Sequence, residues 1–469
     1  MARDPGFMGA PHRPFEWLGP ALAELERFSA QSDAGDGPVL RAPDIQEIRR
    51  FLGVEHGPPR EPATPERLGD FLHKYLHHAT RLRHPGYAAH QVAVTHPAAA
   101  VADLVNGLTN NGSAVYEMAP AGVALERAAI GWMLGCLGWN PSGDGILTHG
   151  GSVANLTALL AARAKKVPDA WSKGAPSDVA VLAPETAHYS VARAVAIMGL
   201  GADAVIPLET DGLGVVIPEK LDAGFDRARK QGRRPIALVA GACHTATGLY
   251  DPLTPMAEFC ERRDLWFHVD GAHGASALAS PRFKVRLDGA ERADSLIWDA
   301  HKMLAVSSLC AAVLYRDQRS RDGAFAQEAS YLRAGAAGAD ARPDLFPYTL
   351  ECTRGALGLK LWLVLEALGT QGIARHVETL YDRATEFAAL LRSRPGFKVP
   401  YEPQSNILCF EIPRGADPHA IQKRLAHEGD FYVTSATVKK KPYLRVSLMN
   451  PATDLKVLER FVQRVEEFS

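Results

Sequence analysis

Between about Val101 and Gly369 the chain alternates short, nearly continuous apolar runs with amphipathic segments, and this alternation most constrains its fold. A strand buried on both faces is apolar along its whole length, and a parallel neighbour is reached only through a crossover, usually a helix. The spacing predicts strands at Val179–Pro184, Ala204–Leu208, Ile236–Ala240, Leu265–Val269, Ser295–Trp298 and Ala311–Tyr315, each bounded by Gly, Pro or charged residues. Val153–Ala164, Ser190–Met198 and Pro255–Arg263 place apolar residues three and four apart, as helices with one buried face do. The expectation is an α/β fold with a mostly parallel sheet.

A chain of 469 residues is too long for one small core, and three parts are expected. Residues 1–95, rich in Pro, His and Arg with a helical stretch at Pro20–Phe28, form an arm that packs on something else. Residues 96–370 form the large domain. Residues 371–469 follow the long apolar segment Ala356–Leu368 and form a small α+β domain, with strands Ile407–Ile412 and Tyr443–Leu448 and helices Pro418–His427 and Leu455–Phe468. Ala334–Asp344 and Thr437–Lys441 read as mobile loops.

Charge bears on partners. Lys+Arg 52 against Asp+Glu 53 leaves no excess to hold nucleic acid or an anionic membrane, so the ligand is expected to be small. No apolar run suits a signal peptide or spans a bilayer, and a cytoplasmic location is the default expectation. The six cysteines lie singly, without the close pairs of zinc sites or disulfide scaffolds, so they are read as reduced and no metal is expected.

The most informative stretches are Leu265-Trp-Phe-His-Val-Asp-Gly-Ala-His-Gly274 and Ser295-Leu-Ile-Trp-Asp-Ala-His-Lys302. An Asp ending one buried strand and a Lys following another meet at the carboxyl edge of the sheet, where α/β folds bind ligands. Pyridoxal 5′-phosphate (PLP) uses that pair directly: a lysine amine forms a Schiff base, and a carboxylate keeps the pyridine nitrogen protonated. On this reading Lys302 is the Schiff-base residue and Asp270 the ring-nitrogen partner. Taken singly, Asp270 reads better as a strand-end cap of the next turn and Lys302 as a solvated lysine. The turn Thr148-His-Gly-Gly-Ser-Val-Ala-Asn155 offers backbone N–H groups at a helix start, so Gly150, Gly151 and Ser152 suit a phosphate, although in isolation Ser152 is a simple N-cap. His188 is placed to lie flat on the pyridine ring, and His301 stands beside the reactive amine, where it could transfer a proton.

Together these residues resemble the group II PLP-dependent amino acid decarboxylases, with the likeness running from about Arg83 to the C-terminus. It rests on His84-Pro-Gly-Tyr87, Tyr116-Glu-Met-Ala-Pro120 with Leu125-Glu126, the Gly-Gly-Ser-x-Ala-Asn turn, Ala187-His188, and Thr245 to Gly248 with Asp251-Pro252. It continues through His268-Val-Asp270, Ala293-Asp-Ser295, His301-Lys302, Arg354, Leu359-Lys-Leu-Trp362 and Leu444-Arg445. Tyr116-Glu-Met-Ala-Pro120, Trp298 and Gln404-Ser-Asn406 are most similar to the glutamate and cysteine sulfinate decarboxylase branch.

The resemblance implies PLP fold type I, like aspartate aminotransferase, with a mostly parallel seven-stranded sheet and a homodimer whose cofactor sites lie near the subunit interface. It also implies that His188 stacks on the ring, that Gly151, Ser152 and His301 hold the phosphate region with Asp299 among the cofactor contacts, and that Thr245 lies near the ring. Gln91 and Arg445 match positions that contact substrate carboxylate. The implied reaction takes an L-amino acid: its amine displaces Lys302, its carboxylate leaves as CO2 and an acid protonates Cα.

Several positions depart from the pattern. The family's acid is a tyrosine on a flexible loop, and counting back from Arg354 places it near Ala339. Tyr331 matches a different landmark and Tyr348 falls too late. A longer-lived carbanion would admit decarboxylation-coupled oxidation or carbon–carbon bond formation as the alternative. The intact Lys302, Asp270 and His188 set argues against a third reading, a non-catalytic scaffold. His149 and His273 replace other residue types and are either substitute acids or ordinary polar residues near a turn. Val153 replaces an acidic residue, Asp299 an Asn, and Ala93 a small hydroxyl residue, the last arguing against specificity for glutamate itself.

Overall fold

In the computed structural model, which describes residues 14–41, 43–60, 63–322, 324–325 and 344–469, the alternating region forms one seven-stranded sheet. Its strands are β1 (Asp144–Thr148), β2 (Val179–Pro184), β3 (Val205–Leu208), β4 (Arg234–Gly241), β5 (Trp266–Asp270), β6 (Ser295–Asp299) and β7 (Ala311–Tyr315), in the spatial order β1-β7-β6-β5-β4-β2-β3. Neighbours from β6 through β5, β4 and β2 to β3 are parallel, while β7 runs antiparallel to both β6 and β1. Every predicted large-domain strand is present within two residues of its expected ends. The unpredicted β1, Asp-Gly-Ile-Leu-Thr, holds too short an apolar run to stand out, and it is buried by packing rather than by its own composition.

Side chains alternate across this sheet. Leu296 and Trp298 enter one core with Leu134, Leu253, Leu361 and Val364 from helices 120–137, 253–263 and 357–392. Ile297 and Val313 enter the other, with Leu159 and Val191 from helices 151–166 and 189–197. Helix 357–392 is broken at Gly369, whose φ of 64° with ψ of 166° is reached cheaply only by glycine.

Beyond that break the C-terminal region forms a small antiparallel sheet of β8 (Ile407–Phe410), β9 (Thr434–Val438) and β10 (Lys441–Ser447), in the order β8-β10-β9. Phe387, Phe410 and Phe461 pack edge-on and tilted in its core. The loop expected at Thr437–Lys441 is instead a hairpin: Thr437 and Val438 end β9, Lys441 starts β10, and only Lys439 and Lys440 turn, at φ 46° and 69°. Asn and Gly are the usual residues in such a turn, so the lysine run hid it. The other expected loop, with Tyr331 and Ala339, lies outside the described residues save for Asp344, which accepts from Tyr116 N at 2.8 Å.

The arm is tied to the small sheet by a parallel bridge between Tyr87 and Tyr432 and by Ser447 N donating to Ala88 O at 2.9 Å. This lays the chain past Ala89 toward the carboxyl edge of the large sheet.

The site-bearing edge is braced by a buried ion pair. Arg354 Nη1 and Nη2 donate to Glu126 Oε1 and Oε2 at 3.0 and 2.9 Å, and Glu126 Oε1 also accepts from Leu147 N in β1 at 3.0 Å. Both residues are at most 2% exposed. Removing one partner strands the other charge, so Arg354→Leu is expected to lower unfolding free energy by about 3–5 kcal/mol, read from the urea midpoint and slope.

Candidate functional site

The parallel strands end on one edge, where β5 delivers Asp270, β6 delivers Asp299 and the chain after β2 delivers His188. These side chains line a cavity of about 290 Å³ with Gln91, Gly150, Gly151, Ser152, Thr245, His301 and Lys302. That volume lies at the small end of ligand sites, about 300–1,000 Å³. The structure thus brings every predicted site residue to the cavity wall except Arg445.

Asp270 is held by a hydrogen-bond chain with a single polarity. Its Oδ2 accepts from Asn155 Nδ2 at 2.9 Å and its Oδ1 from Ala272 N at 3.3 Å. The same Nδ2 donates to Ser190 Oγ at 2.9 Å, and Asn155 Oδ1 lies 2.9 Å from His268 Nε2. Burial pushes His268 down to about 4, so its ring is neutral near pH 7 and carries the proton on Nε2, facing Asn155 Oδ1. Its Nδ1 then accepts from Ser295 Oγ at 2.8 Å, and Ser295 accepts in turn from Trp266 Nε1 at 2.8 Å. At the other end Ser190 Oγ lies 2.7 Å from His188 Nδ1, and that nitrogen accepts from Ser190 N at 3.3 Å, which leaves the His188 proton on Nε2. Burial, assisted by the Lys302 and Arg193 charges, lowers the His188 pKa and favours an uncharged ring.

Asn155, Ser190 and His268 orient the candidate site through this chain, a part that reasoning from sequence did not give them, although Asn155 and His268 stand in motifs singled out there. Asn155 lies one helical turn beyond Gly151, on the face turned to the sheet, and that spacing was the available signal.

Lys302 follows β6 by three residues, with Nζ 3.5 Å from Asp299 Oδ2, and His301 Nε2 lies 3.6 Å from the same oxygen. His301 Nδ1 donates to Cys310 O at 2.8 Å, which fixes its ring. Beside them, a Cβ added to Gly151 would fall 2.7 Å from Asp299 Oδ2, so the first turn of helix 151–166 leaves room only for glycine.

Two positions singled out from the sequence are engaged by protein partners. Arg445, expected to meet substrate carboxylate, spends its guanidinium on Thr245 O (2.7 and 3.1 Å), Ala246 O (3.1 Å), Ala89 O (3.1 Å) and Thr434 Oγ1 (3.1 Å). It lies behind Thr245 and clamps three chain segments, because β10 carries it into a gap walled by backbone carbonyls. His273 lines the cavity, but its Nε2 donates to Asn406 Oδ1 at 2.7 Å and its buried Nδ1 has no partner among the described residues. Burial, then the Lys302 charge, pushes it down to about 3, so it has no imidazolium proton to give near neutral pH. His149, also on the wall, keeps a carboxylate partner, Glu351 Oε1 at 3.2 Å.

Comparison with known proteins agrees with this geometry. The family described as "Pyridoxal-dependent decarboxylase conserved domain" matches residues 59–413. The chain belongs to the pyridoxal-dependent decarboxylase family. It is 32% identical over 385 residues to the acidic amino acid decarboxylase GADL1 of Homo sapiens, covering 79% of this chain and 73% of that one. It is also 32% identical over 368 residues to the cysteine sulfinic acid decarboxylase of Mus musculus, covering 78% and 74%. The crystal structure of mouse CSAD in apo form superposes with a TM-score of 0.89 at 26% identity, over 96% of this chain and 98% of that one. PLP is accordingly the cofactor of this decarboxylase, and amino acid decarboxylation its reaction class.

The residues present fit that group. The cavity joins an amine (Lys302), a strand-end carboxylate held from behind (Asp270), an uncharged imidazole (His188) and a glycine-bounded helix start. Asn155→Ala removes a hydrogen bond to a carboxylate, worth about 1.5–3 kcal/mol. PLP binding, followed by absorbance titration, is expected to weaken about ten- to hundredfold while the fold persists.

Proposed function

We propose that this chain removes the α-carboxylate of an L-amino acid as CO2 by means of the residues gathered around Lys302. The carrying observation is that Lys302 and Asp270 share one cavity with the first turn of helix 151–166. PLP, when bound, supplies a protonated ring that accepts the electron pair released with CO2. The Lys302 amine holds the cofactor until the substrate amine takes its place. Asp270 keeps the pyridine nitrogen protonated, and Asn155 keeps Asp270 aimed. His188 covers the ring face, with its tautomer set by Ser190. Gly150, Gly151, Ser152 and His301 hold the phosphate region, and Thr245 borders the ring. Gln91 faces the substrate carboxylate, while Arg445 acts one step removed, fixing Ala89 and Thr245 on either side of the site.

His149 is the residue we assign to return a proton to Cα, since it reaches the cavity with a carboxylate partner whereas His273 is held neutral. The relatives named for acidic amino acids and cysteine sulfinic acid make such substrates the first to test. In deuterated buffer the expected product is CO2 plus an amine bearing one deuterium at Cα. Lys302→Ala should abolish it, and His149→Gln should lower kcat by about 10²–10⁴-fold with PLP still bound. CO2 from no amino acid would defeat the assignment, and oxygen uptake with a carbonyl product would replace it with the oxidative alternative.

The working unit in this proposal is a cytoplasmic homodimer, its chain divided at residues 1–95, 96–370 and 371–469. Val101, Val105 and Leu108 form a stripe on helix 97–109 and are 52%, 39% and 52% exposed. Leu309 both lines the cavity and is 47% exposed, so the mouth itself is apolar, as a surface awaiting a second copy would be. Sedimentation velocity should give a dimer for the native chain and a shift toward monomer for Val105→Glu.

A further inference from the structure

Asp299 is a carboxylate at the end of the site that receives an anion. It is 2% exposed, and its Oδ1 is buried without a hydrogen-bond partner among the described residues. The built Cβ position of Gly151 lies 2.9 Å from that Oδ1 and 2.7 Å from Oδ2, so the carboxylate abuts the first turn of helix 151–166. There the N–H groups of Gly151 and Ser152 donate to no acceptor among the described residues. A helix start with free donors attracts phosphate, and a buried carboxylate beside it repels phosphate.

We propose that Asp299 contacts the cofactor phosphate as a neutral carboxylic acid, so that phosphate capture by this chain takes up one proton. The inference rests on the PLP reading above. In the ionised state Asp299 would add a negative charge against a phosphate that already carries about −1.5 to −2. In the protonated state it is close in shape to the Asn of the resembling family, and an O–H replaces the unmet Oδ1 acceptor with a donor. The proton comes from solvent, and no other bond changes.

The surroundings of Asp299 set the balance. Lys302 Nζ at 3.5 Å and His301 Nε2 at 3.6 Å favour its charge, and Asp270 opposes it. The His188 ring and the buried Cys310 thiol also feel its charge. Burial outweighs the cations and raises the carboxyl above its ordinary value even before an anion arrives. The anion raises it further. Below the pKa of the free protein the acid is already protonated and nothing is coupled. Above it, binding draws in a proton and affinity falls as pH rises, until the pKa of the complex is passed.

The test uses pyridoxamine 5′-phosphate, which has the ring and phosphate but no aldehyde to react with Lys302, and pyridoxamine as the control without phosphate. Dissociation constants of the native chain and Asp299→Asn are measured from about pH 6 to about pH 8.5. Proton uptake is measured at the alkaline end by calorimetry in two buffers of different ionisation enthalpy. The ratio of native to variant dissociation constants is expected to rise with pH, about tenfold for each unit by which the anion lifts Asp299. The native chain should take up more protons than the variant, and pyridoxamine should show neither effect. A flat ratio with equal proton counts, or the same behaviour with pyridoxamine, overturns the role of Asp299 and leaves the PLP site standing. Failure of both proteins to bind pyridoxamine 5′-phosphate overturns the PLP reading together with the proposal, whereas a folded Asp299→Asn that alone fails to bind overturns only the proposal. Should the variant misfold, the proton count of the native chain at a pH where free phosphate is already dianionic decides alone: none taken up overturns the proposal.

Discussion

The Asn155–Asp270 hydrogen bond is the interaction on which the site depends. A carboxylate at the end of a buried strand has several rotamers open to it, and only one faces a ring nitrogen. Asn155 selects that one from behind, and it can do so because its own oxygen is committed to His268. His268 is committed because burial keeps it neutral and Ser295 fills its other nitrogen. The same amide reaches Ser190 and through it His188, so the groups assigned to the ring nitrogen and to the ring face share one source of orientation. A satisfied buried network of this kind is rigid, since any member left unpaired costs its full desolvation energy.

Around that chain the fold supplies position. The parallel strands bring Asp270, Asp299 and the segment before His188 to one edge, and helix 151–166 crosses beneath them with its start at the anion end and Asn155 one turn further on. Arg445 closes the far side by joining the arm, the large sheet and the small sheet through the Ala89 and Thr245 carbonyl oxygens and the Thr434 hydroxyl. A buried cation in such a place is costly unless every donor is used, and its use as a clamp is what the geometry displays. A second buried pair, His244 Nε2 with Asp251 Oδ1 at 2.9 Å, fixes the loop that carries Thr245.

Much of this was legible in the residues. Strands buried on both faces announce themselves by composition, so β2 to β7 were readable to within two residues. Asp270 and Lys302 stood out because one cofactor needs both types at one sheet edge. The elements that escaped lacked a local signature: β1 carries too short an apolar run, and the β9–β10 hairpin turns on lysines rather than on Asn-Gly. The partners of Arg445 escaped for a related reason. A sequence shows that a cation is present, but not which oxygens surround it.

The sequence by itself determined the α/β class, the chemistry-bearing pair and the glycine turn, since these follow from periodicity and from residue types with few other uses. Tertiary structure alone decided which polar groups face one another: that Asn155 serves Asp270, that His273 is neutral while His149 has a carboxylate, and that Asp299 meets Lys302 and His301 through Oδ2 while its Oδ1 has no partner among the described residues. Those outcomes depend on burial and on distances of about three ångströms between residues far apart in the chain, where a change of an ångström makes or breaks a hydrogen bond. No local pattern in the sequence encodes such distances.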